Sequence, residues 1–338
     1  MHRGIRGWLI LAALAPVAFL VTYMIQPEVR RAAFWGDSWR DQPLAARVHL
    51  LPEAAVPSLR GILARRDGKS AIAPASNADY VVEDLQTAIG SLPDSVRRLV
   101  SGHLIGIYLV EGLGGGENAH NLGMAIEVYG FFHQHVGTVI LIDRDETDMR
   151  ANQAMAGLEY VPSGNYRGVT VEARLARRDA DTRSTTLRYV LLHELGHLID
   201  YDEGITPRSF SYGASRDGCG FTCLSWLTPV RHRYSQRLDT AMRSIHEGKV
   251  DAYVSMLPKT FESLAQSNFP SLYAATDPAE DFAESFAQYV HTEMLGQPWK
   301  MILRVNGTIK AELNACYLDR RCPRKKAYFD ALLGGHAG

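Results

Sequence analysis

The sequence predicts an α+β fold, and three features support this class. Two compact β-favouring runs, residues 103–110 and 137–143, are separated by a glycine-rich loop. Apolar residues recur at helical spacing upstream, over residues 80–100, and downstream, over residues 185–200. With 46% hydrophobic residues in a chain of 338, there are enough apolar side chains to bury a core. We therefore expect helices packed against a small sheet.

The charge balance limits the classes of partner. The chain has 36 basic and 37 acidic side chains and a net charge of -1. Such a chain lacks the general electrostatic attraction that a basic domain has for nucleic acid. We therefore expect no nucleic-acid partner. The length suits one large domain or two ordinary ones.

The N-terminus carries an apolar segment. Residues 8–25 contain no charged side chain, and Arg3 and Arg6 precede them. This pattern predicts an uncleaved transmembrane signal-anchor, with residues 1–7 as a short cytoplasmic N-terminus. A cleaved signal peptide is the alternative, but the residues that follow lack a small-x-small cleavage pattern; a buried core helix is the weakest alternative. The prediction is a single-pass protein of the cell membrane, in contact with the bilayer through this helix.

The four cysteines form two local pairs, Cys219 with Cys223 and Cys316 with Cys322. Close pairs without a leftover cysteine suit two short disulfides formed in an oxidising compartment. This places the chain beyond the anchor in the periplasm or outside the cell. A zinc site of four thiolates is the alternative, although neither spacing is the CxxC of a zinc knuckle.

The order of elements can be estimated from composition. Residues 26–78 are predicted to be a membrane-proximal stalk, and residues 79–338 a single domain. Gly90 and Pro93 interrupt the first helical stretch, which therefore predicts two short helices. The loop Gly112–Gly116 lacks the lysine of a phosphate-binding loop, and we expect it to lie beside a sheet edge, where it could border a substrate cleft.

A helix of about four turns is predicted around residues 185–200. Thr182 and the hydroxyl residues after it offer N-caps, and Gly204 is a plausible end. This helix carries the HExxH pattern, in which His193 and His197 lie one turn apart on the same face. Two imidazoles so placed can bind one Zn²⁺, and Glu194 can accept a proton from a water on that ion.

A catalytic zinc usually has three protein ligands, so the pattern requires a third. Asp200 lies on the same helix as the two histidines, so the three side chains would be in one line and Asp200 would approach the ion poorly. A metzincin would have Gly at position 200 and His or Asp at position 203, where this chain has Asp200 and Glu203. We expect Asp200 to hydrogen-bond beside the ligands instead.

Glu280 is the better candidate for the third ligand. Asp277 can cap a helix that begins at Pro278, which places Glu280 in the first turn and Glu284 one turn later. A glutamate in this position on a second helix is typical of gluzincin peptidases.

The segment from Tyr273 to Phe286, YAATDPAEDFAESF, resembles the corresponding segment of the lethal-factor-like peptidases, the group that includes the Pro-Pro endopeptidases. The resemblance implies a zincin-like metallopeptidase domain with a small sheet, an active-site helix and a second helix that bears a ligand. It also implies the following roles: His193, His197 and Glu280 as zinc ligands, Glu194 as the general base, Tyr273 as the hydroxyl that hydrogen-bonds the oxyanion, and Glu284 as a residue that orients a ligating histidine.

The chain departs from compact members of that group by an insertion at about residues 201–270, so preference for Pro-Pro bonds is not carried over. The predicted function is a membrane-anchored, extracytoplasmic zinc metalloendopeptidase with one Zn²⁺ per chain and a peptide or protein substrate. Two alternatives remain: a non-catalytic binding module on a zinc scaffold, and a zinc hydrolase of a non-peptide amide.

The other histidines receive structural interpretations. His133 and His135 are interpreted as a loop or strand-end pair before the second β-favouring run, with a second metal site as the less favoured alternative. His103, His120 and His291 have no partner at a suitable spacing.

Overall fold

The computed structural model describes residues 23–67, 71–114, 121–145, 147–158, 166–207, 220–246 and 249–334. These residues form an α+β protein, which confirms the predicted class. The helices are α1 (Ala32–Trp35), α2 (Val56–Asp67), α3 (Asp79–Gly90), α4 (Asp94–Ser101), α5 (Ala151–Leu158), α6 (Arg183–Glu203), α7 (Gln236–His246), α8 (Val250–Ala265), α9 (Pro278–Tyr289) and α10 (Pro323–Gly334). The strands are β1 (Val48–Leu50), β2 (Ala73–Pro74), β3 (Leu104–Glu111), β4 (Gly123–Tyr129), β5 (His135–Asp143), β6 (Val169–Arg174), β7 (Trp226–Thr228), β8 (Arg231–His232), β9 (Lys300–Val305) and β10 (Thr308–Asn314).

The main sheet has the strand order β1-β3-β5-β4, with β2 paired to the end of β3. β1, β3 and β5 run parallel, whereas β4 runs antiparallel to β5 and lies at the edge. β3 and β5 are the two runs that the sequence predicts as strands. They are almost continuously apolar because both faces of the sheet are covered.

The two faces of β5 belong to different apolar clusters. Ile140 and Ile142 pack in the cluster that contains the buried side of α6. Val139 and Leu141 face the opposite cluster, which includes Trp39 and other residues of the N-terminal part of the chain. Residues 26–78, which the sequence separates as a stalk, thus contribute two strands to the sheet and cover its second face.

The predicted membrane anchor is contradicted. No helix within the described ranges is both long and apolar enough to cross a membrane. Of the segment 8–25, only residues 23–25 are described, and residues 1–22 lie outside the described part. The predicted single-pass membrane localisation is contradicted by the same finding.

One predicted disulfide is confirmed. Cys316 and Cys322 are bonded to each other, just before α10. These two sulfurs are therefore not thiolates available to a metal ion. The other predicted pair includes Cys219, which lies outside the described residues.

The insertion at residues 201–270 contains α7, α8 and the hairpin β7–β8, and residues 208–219 and 247–248 within it lie outside the described part. Of the glycine loop, residues 112–114 are described and follow β3 directly. A second sheet, in the order β10-β9-β6, is antiparallel throughout.

Candidate metal centre

Helix α6 positions three residues of the HExxH pattern. It begins at the N-cap Thr182, whose hydroxyl accepts a hydrogen bond from the backbone N–H of Thr185 at 3.3 Å. It ends at Gly204, whose left-handed backbone (φ 59°) suits a residue without a Cβ. Between these caps, the rings of His193 and His197 lie one turn apart with their centroids separated by 4.9 Å.

Helix α9 positions the third candidate ligand. Asp277 is its N-cap, and one carboxylate oxygen accepts hydrogen bonds from the backbone N–H groups of Ala279 and Glu280 at 2.8 and 3.1 Å. The predicted helix start at Pro278 is confirmed. Glu280 therefore lies in the first turn of α9.

A glycine allows the two helices to approach closely. A Cβ on Gly196 of α6 would lie only 2.7 Å from the Cα of Ala283 on α9, a distance that real Cβ atoms essentially never show. Gly196 is thus the residue that lets α9 approach the histidine face of α6. Glu280 lies one turn before Ala283 and comes within reach of both imidazoles.

The candidate ligand atoms converge. Glu280 Oε2 lies 3.1 Å from His193 Nε2 and 3.3 Å from His197 Nε2. Two ligands bound to one tetrahedral zinc at about 2.0–2.1 Å are themselves about 3.3 Å apart. These two distances are therefore those that one ion requires, all three atoms lie within 4.8 Å of one another, and this group could hold a metal ion.

Glu284 lies on the far side of His193. Its Oε2 is 3.2 Å from His193 Nδ1, and its Oε1 accepts a hydrogen bond from the Tyr189 hydroxyl at 2.7 Å. Since Nδ1 meets this carboxylate, Nε2 of the same ring is turned toward Glu280. A buried carboxylate behind a histidine is a common means of fixing the tautomer of a metal ligand.

Glu194 and Tyr273 lie beside the candidate ligands. A Cβ on Gly123, the first residue of β4, would be 2.7 Å from Glu194 Oε1, so the buried Glu194 carboxylate occupies space beside the edge strand. Tyr273 lies in the short turn Tyr273–Ala275, and its ring centroid is 5.5 Å from that of His193. Tyr273 thus lies beside His193, and Glu194, one residue further along α6, lies between this helix and the first residue of β4.

The three candidate ligands are largely buried, and their charges change one another's pKa values. Burial opposes protonation of His193, but hydrogen bonds to Glu280 and Glu284 outweigh it and raise the pKa of His193 well above its usual range. For His197, the charge of Glu280 likewise outweighs burial and raises the pKa. Burial would raise the pKa of Glu280, yet the two histidines hold it well below its usual range. Protons and a metal ion would therefore compete for these nitrogens.

Asp200 lies on the same helix as the two histidines, and its hydrogen bond is to the chain that follows the helix. It is buried near the end of α6, and its Oδ1 accepts a hydrogen bond from the backbone N–H of Thr206 at 2.6 Å. Burial raises the pKa of Asp200 to about 6. This contact fastens the chain where it leaves the helix.

A second group was not anticipated by the sequence analysis. His103, His135 and Asp202 bring three ligand atoms within 4.8 Å of one another, so this group could also hold a metal ion. The residues come from three separate elements, and only the pairing of β3 with β5 brings the two histidines together. No local spacing in the sequence could have indicated them.

Comparisons of the chain with protein-family models, with curated proteins and with solved structures found no match.

Proposed function

We propose that this chain is a zinc-dependent peptidase whose ion is held by His193, His197 and Glu280. The observation that supports it most directly is the spacing of 3.1 and 3.3 Å between Glu280 Oε2 and the two imidazole Nε2 atoms. Two imidazoles and one carboxylate, with a position left for water or substrate, are the ligand set of many catalytic zinc sites. The metal identity is part of the proposal.

When bound, zinc polarises a carbonyl group and lowers the pKa of water to about 7. The chain supplies the remaining groups. Glu194, on the same helix turn as His193, accepts the proton of the attacking water and later delivers it to the leaving nitrogen. Tyr273 donates its hydroxyl hydrogen to the oxygen on which negative charge develops. Glu284 keeps His193 oriented.

The edge strand favours a peptide as substrate over another amide. β4 is the last strand of the sheet: it pairs with β5 on one side, and on the other the described residues form a bridge between Arg31 and Tyr129 and an ion pair between Arg30 and Glu127. An extended peptide can add to such an edge through main-chain hydrogen bonds. Because a Cβ on Gly123 of β4 would meet the Glu194 carboxylate, a peptide paired there would pass close to the general base. The resemblance to lethal-factor-like peptidases agrees with this substrate class.

The test compares the full-length wild type with Glu194→Gln, His193→Ala and Glu280→Ala. Zinc content is measured by mass spectrometry, and cleavage of a peptide library is followed on the same samples. We expect Glu194→Gln to keep its zinc and to lose about 100-fold or more in cleavage rate, as removal of a general base does. His193→Ala and Glu280→Ala should each lose one equivalent of zinc as well as cleavage. Glu203→Gln, an exposed change on the same helix, is the matched control and should behave as wild type.

Two results would contradict the proposal. A wild type that binds zinc but cleaves no peptide would indicate a binding module or a hydrolase of a non-peptide amide, and digestion of glycan-linked amides would separate these. Cleavage that survives in Glu194→Gln would remove the assigned base.

A further inference from the structure

We propose that His103, His135 and Asp202 form a second transition-metal site, independent of the first, that fastens the last turn of α6 to the main sheet. Nothing in this inference depends on the peptidase chemistry. It rests on the placement of the three side chains, on the geometry of their nitrogen and oxygen atoms, and on the hydrogen bond that fixes one of the rings.

The fold builds this cluster from three places. His103 lies between α4 and β3, His135 is the first residue of β5, and Asp202 lies in the last turn of α6. β3 and β5 are adjacent parallel strands, so both histidines lie at the same end of the sheet. An ion bound by all three would therefore join the end of the helix to two strands.

A close backbone contact sets the position of His103. The backbone N–H of Thr138 donates to His103 O at 2.7 Å, and a Cβ on Gly137 would lie only 2.4 Å from that same oxygen. Only glycine at position 137 allows these two backbone segments to approach so closely. His103 and His135 are consequently held side by side, and their rings are nearly parallel, with an interplanar angle of 8° and centroids 6.2 Å apart.

The ligand atoms face one another. Asp202 Oδ1 lies 2.7 Å from His103 Nδ1 and 3.7 Å from His135 Nδ1. Both Nδ1 atoms are shielded from solvent, and within the described part of the chain each faces the Asp202 carboxylate. Two ligands of one tetrahedral zinc are about 3.3 Å apart, so the first distance is about 0.6 Å shorter and the second about 0.4 Å longer than that separation. Side-chain movements of about half an ångström would give that geometry.

A further contact selects the nitrogen of His135 that faces the cluster. Its Nε2 lies 3.3 Å from the hydroxyl oxygen of Thr138, which is fully buried. If Nε2–H donates to this hydroxyl, Nδ1 carries a lone pair directed to Asp202. Histidines that bind metals are commonly fixed by such a hydrogen bond from the other ring nitrogen.

The donor set and its location define the class of ion and its role. Two imidazoles and one carboxylate suit zinc and neighbouring transition metals better than magnesium or calcium, which prefer oxygen ligands. Asp202 follows His197 by five residues, about 7.5 Å along the helix axis. Two ions that share one reaction lie about 3.5–4 Å apart, so the second ion would not be cocatalytic. Its role is to restrain the end of α6.

The experiment measures metal stoichiometry in full-length protein. Metal-free wild type, His135→Ala, Asp202→Asn, His193→Ala and the double variant His135→Ala/His193→Ala are dialysed to equilibrium against zinc, and bound zinc is counted. We expect wild type to hold a second equivalent that His135→Ala loses, and His193→Ala to lose only the first. The double variant should bind none. His133→Ala is the control, since His133 lies two residues from His135 but its Nδ1 meets Gln26 Nε2 at 2.7 Å instead.

Hydrogen exchange tests the role of the site. In His193→Ala, added zinc should slow exchange of amides in the last turn of α6, and this protection should be absent in the double variant. Asp202→Asn keeps the shape of the side chain, so a loss of zinc binding in this variant would not be due to misfolding. We expect its affinity for the second zinc ion to fall at least 10-fold. A wild type whose zinc is lost entirely in His193→Ala would overturn the proposal and leave the cluster as an ion pair. Zinc lost in His135→Ala but kept in His193→Ala would support it while refuting the first site.

Discussion

At the scale of single residues, Glu284 contributes to the candidate centre without being placed to touch the ion. It meets His193 Nδ1 with one oxygen and the Tyr189 hydroxyl with the other. Glu284→Gln removes the charge and one acceptor, so His193 loses the group that fixes its tautomer. We expect the dissociation constant for zinc to rise about 10- to 100-fold, as measured by titration against a chromogenic chelator. Glu262→Gln, an exposed glutamate on α8, is the control; equal affinities of the two variants would contradict this role.

A second residue prediction concerns the buried ion pair of Asp281 and Lys325. Both side chains are fully buried and hydrogen-bonded to each other, and Trp226 Nε1 also donates to Asp281 at 3.2 Å. This pair joins the first turn of α9, where Glu280 lies, to α10. Lys325→Ala would leave a buried carboxylate without its cation, and we expect it to lower the free energy of unfolding by about 3–5 kcal/mol.

Urea denaturation followed by tryptophan fluorescence measures this loss. Lys326→Ala is the matched control, because its neighbouring ammonium pairs with Asp330 at the surface and is expected to contribute less than about 1 kcal/mol. Similar losses in the two variants would show that burial of the pair is unimportant.

At the scale of elements, the separation of α6 and α9 determines whether Glu280 reaches the histidines. Gly196→Ala places a methyl group against the Ala283 backbone, so the helices must move apart. We expect a loss of about 1–3 kcal/mol in stability from overpacking together with weaker zinc binding. Gly61→Ala in α2 is the control, since a Cβ there meets nothing within 4 Å. Unchanged zinc affinity in Gly196→Ala would mean that the approach of the helices is not required.

Elements specified by local signals could be predicted from the sequence. The N-caps Thr182 and Asp277, and the interruption between α3 and α4, act within a few residues of themselves. The strand β4 was not anticipated, because an edge strand is defined by its pairing with β5. The cluster of His103, His135 and Asp202 escaped prediction for the same reason: its members are distant in sequence and meet only in the folded sheet.

At the scale of the whole molecule, the main sheet is a support covered on both faces. One face packs on the cluster that includes α6, and the other packs on the N-terminal residues with Trp39 and Leu59. A span of alanine, proline and arginine without clear periodicity gave no sign of this packing, because its buried apolar residues are divided among short turns and the single helix α2. The candidate metal centre therefore depends on a fold to which the early part of the chain also contributes.

The stability of this fold should fall in mild acid, and His291 gives a specific contribution. The ring follows α9 and contacts both the end of β6 and the start of β9: Nε2 lies 2.8 Å from Leu175 O and 3.2 Å from Pro298 O. Burial disfavours the charged ring and lowers the pKa of His291 to about 4. In the unfolded chain the group titrates near 6.5. Between these values the unfolded state binds more protons, so stability decreases as the pH falls from about 6.5 toward 4.

A shift of this size corresponds to about 3 kcal/mol over that window. His291→Gln keeps an N–H donor but cannot titrate. We expect it to be less stable than wild type near pH 7, because the ring packing against Tyr189 is lost, yet to lose less stability on acidification. Urea unfolding is measured at several pH values, with a chelator present so that metal release does not contribute. It gives the slope of the free energy of unfolding against pH for each protein. Parallel curves for the two proteins would show that His291 is not a source of the acid sensitivity. A shallower curve for His291→Gln would show that the missing part of the acid sensitivity comes from one buried ring between α9 and the second sheet.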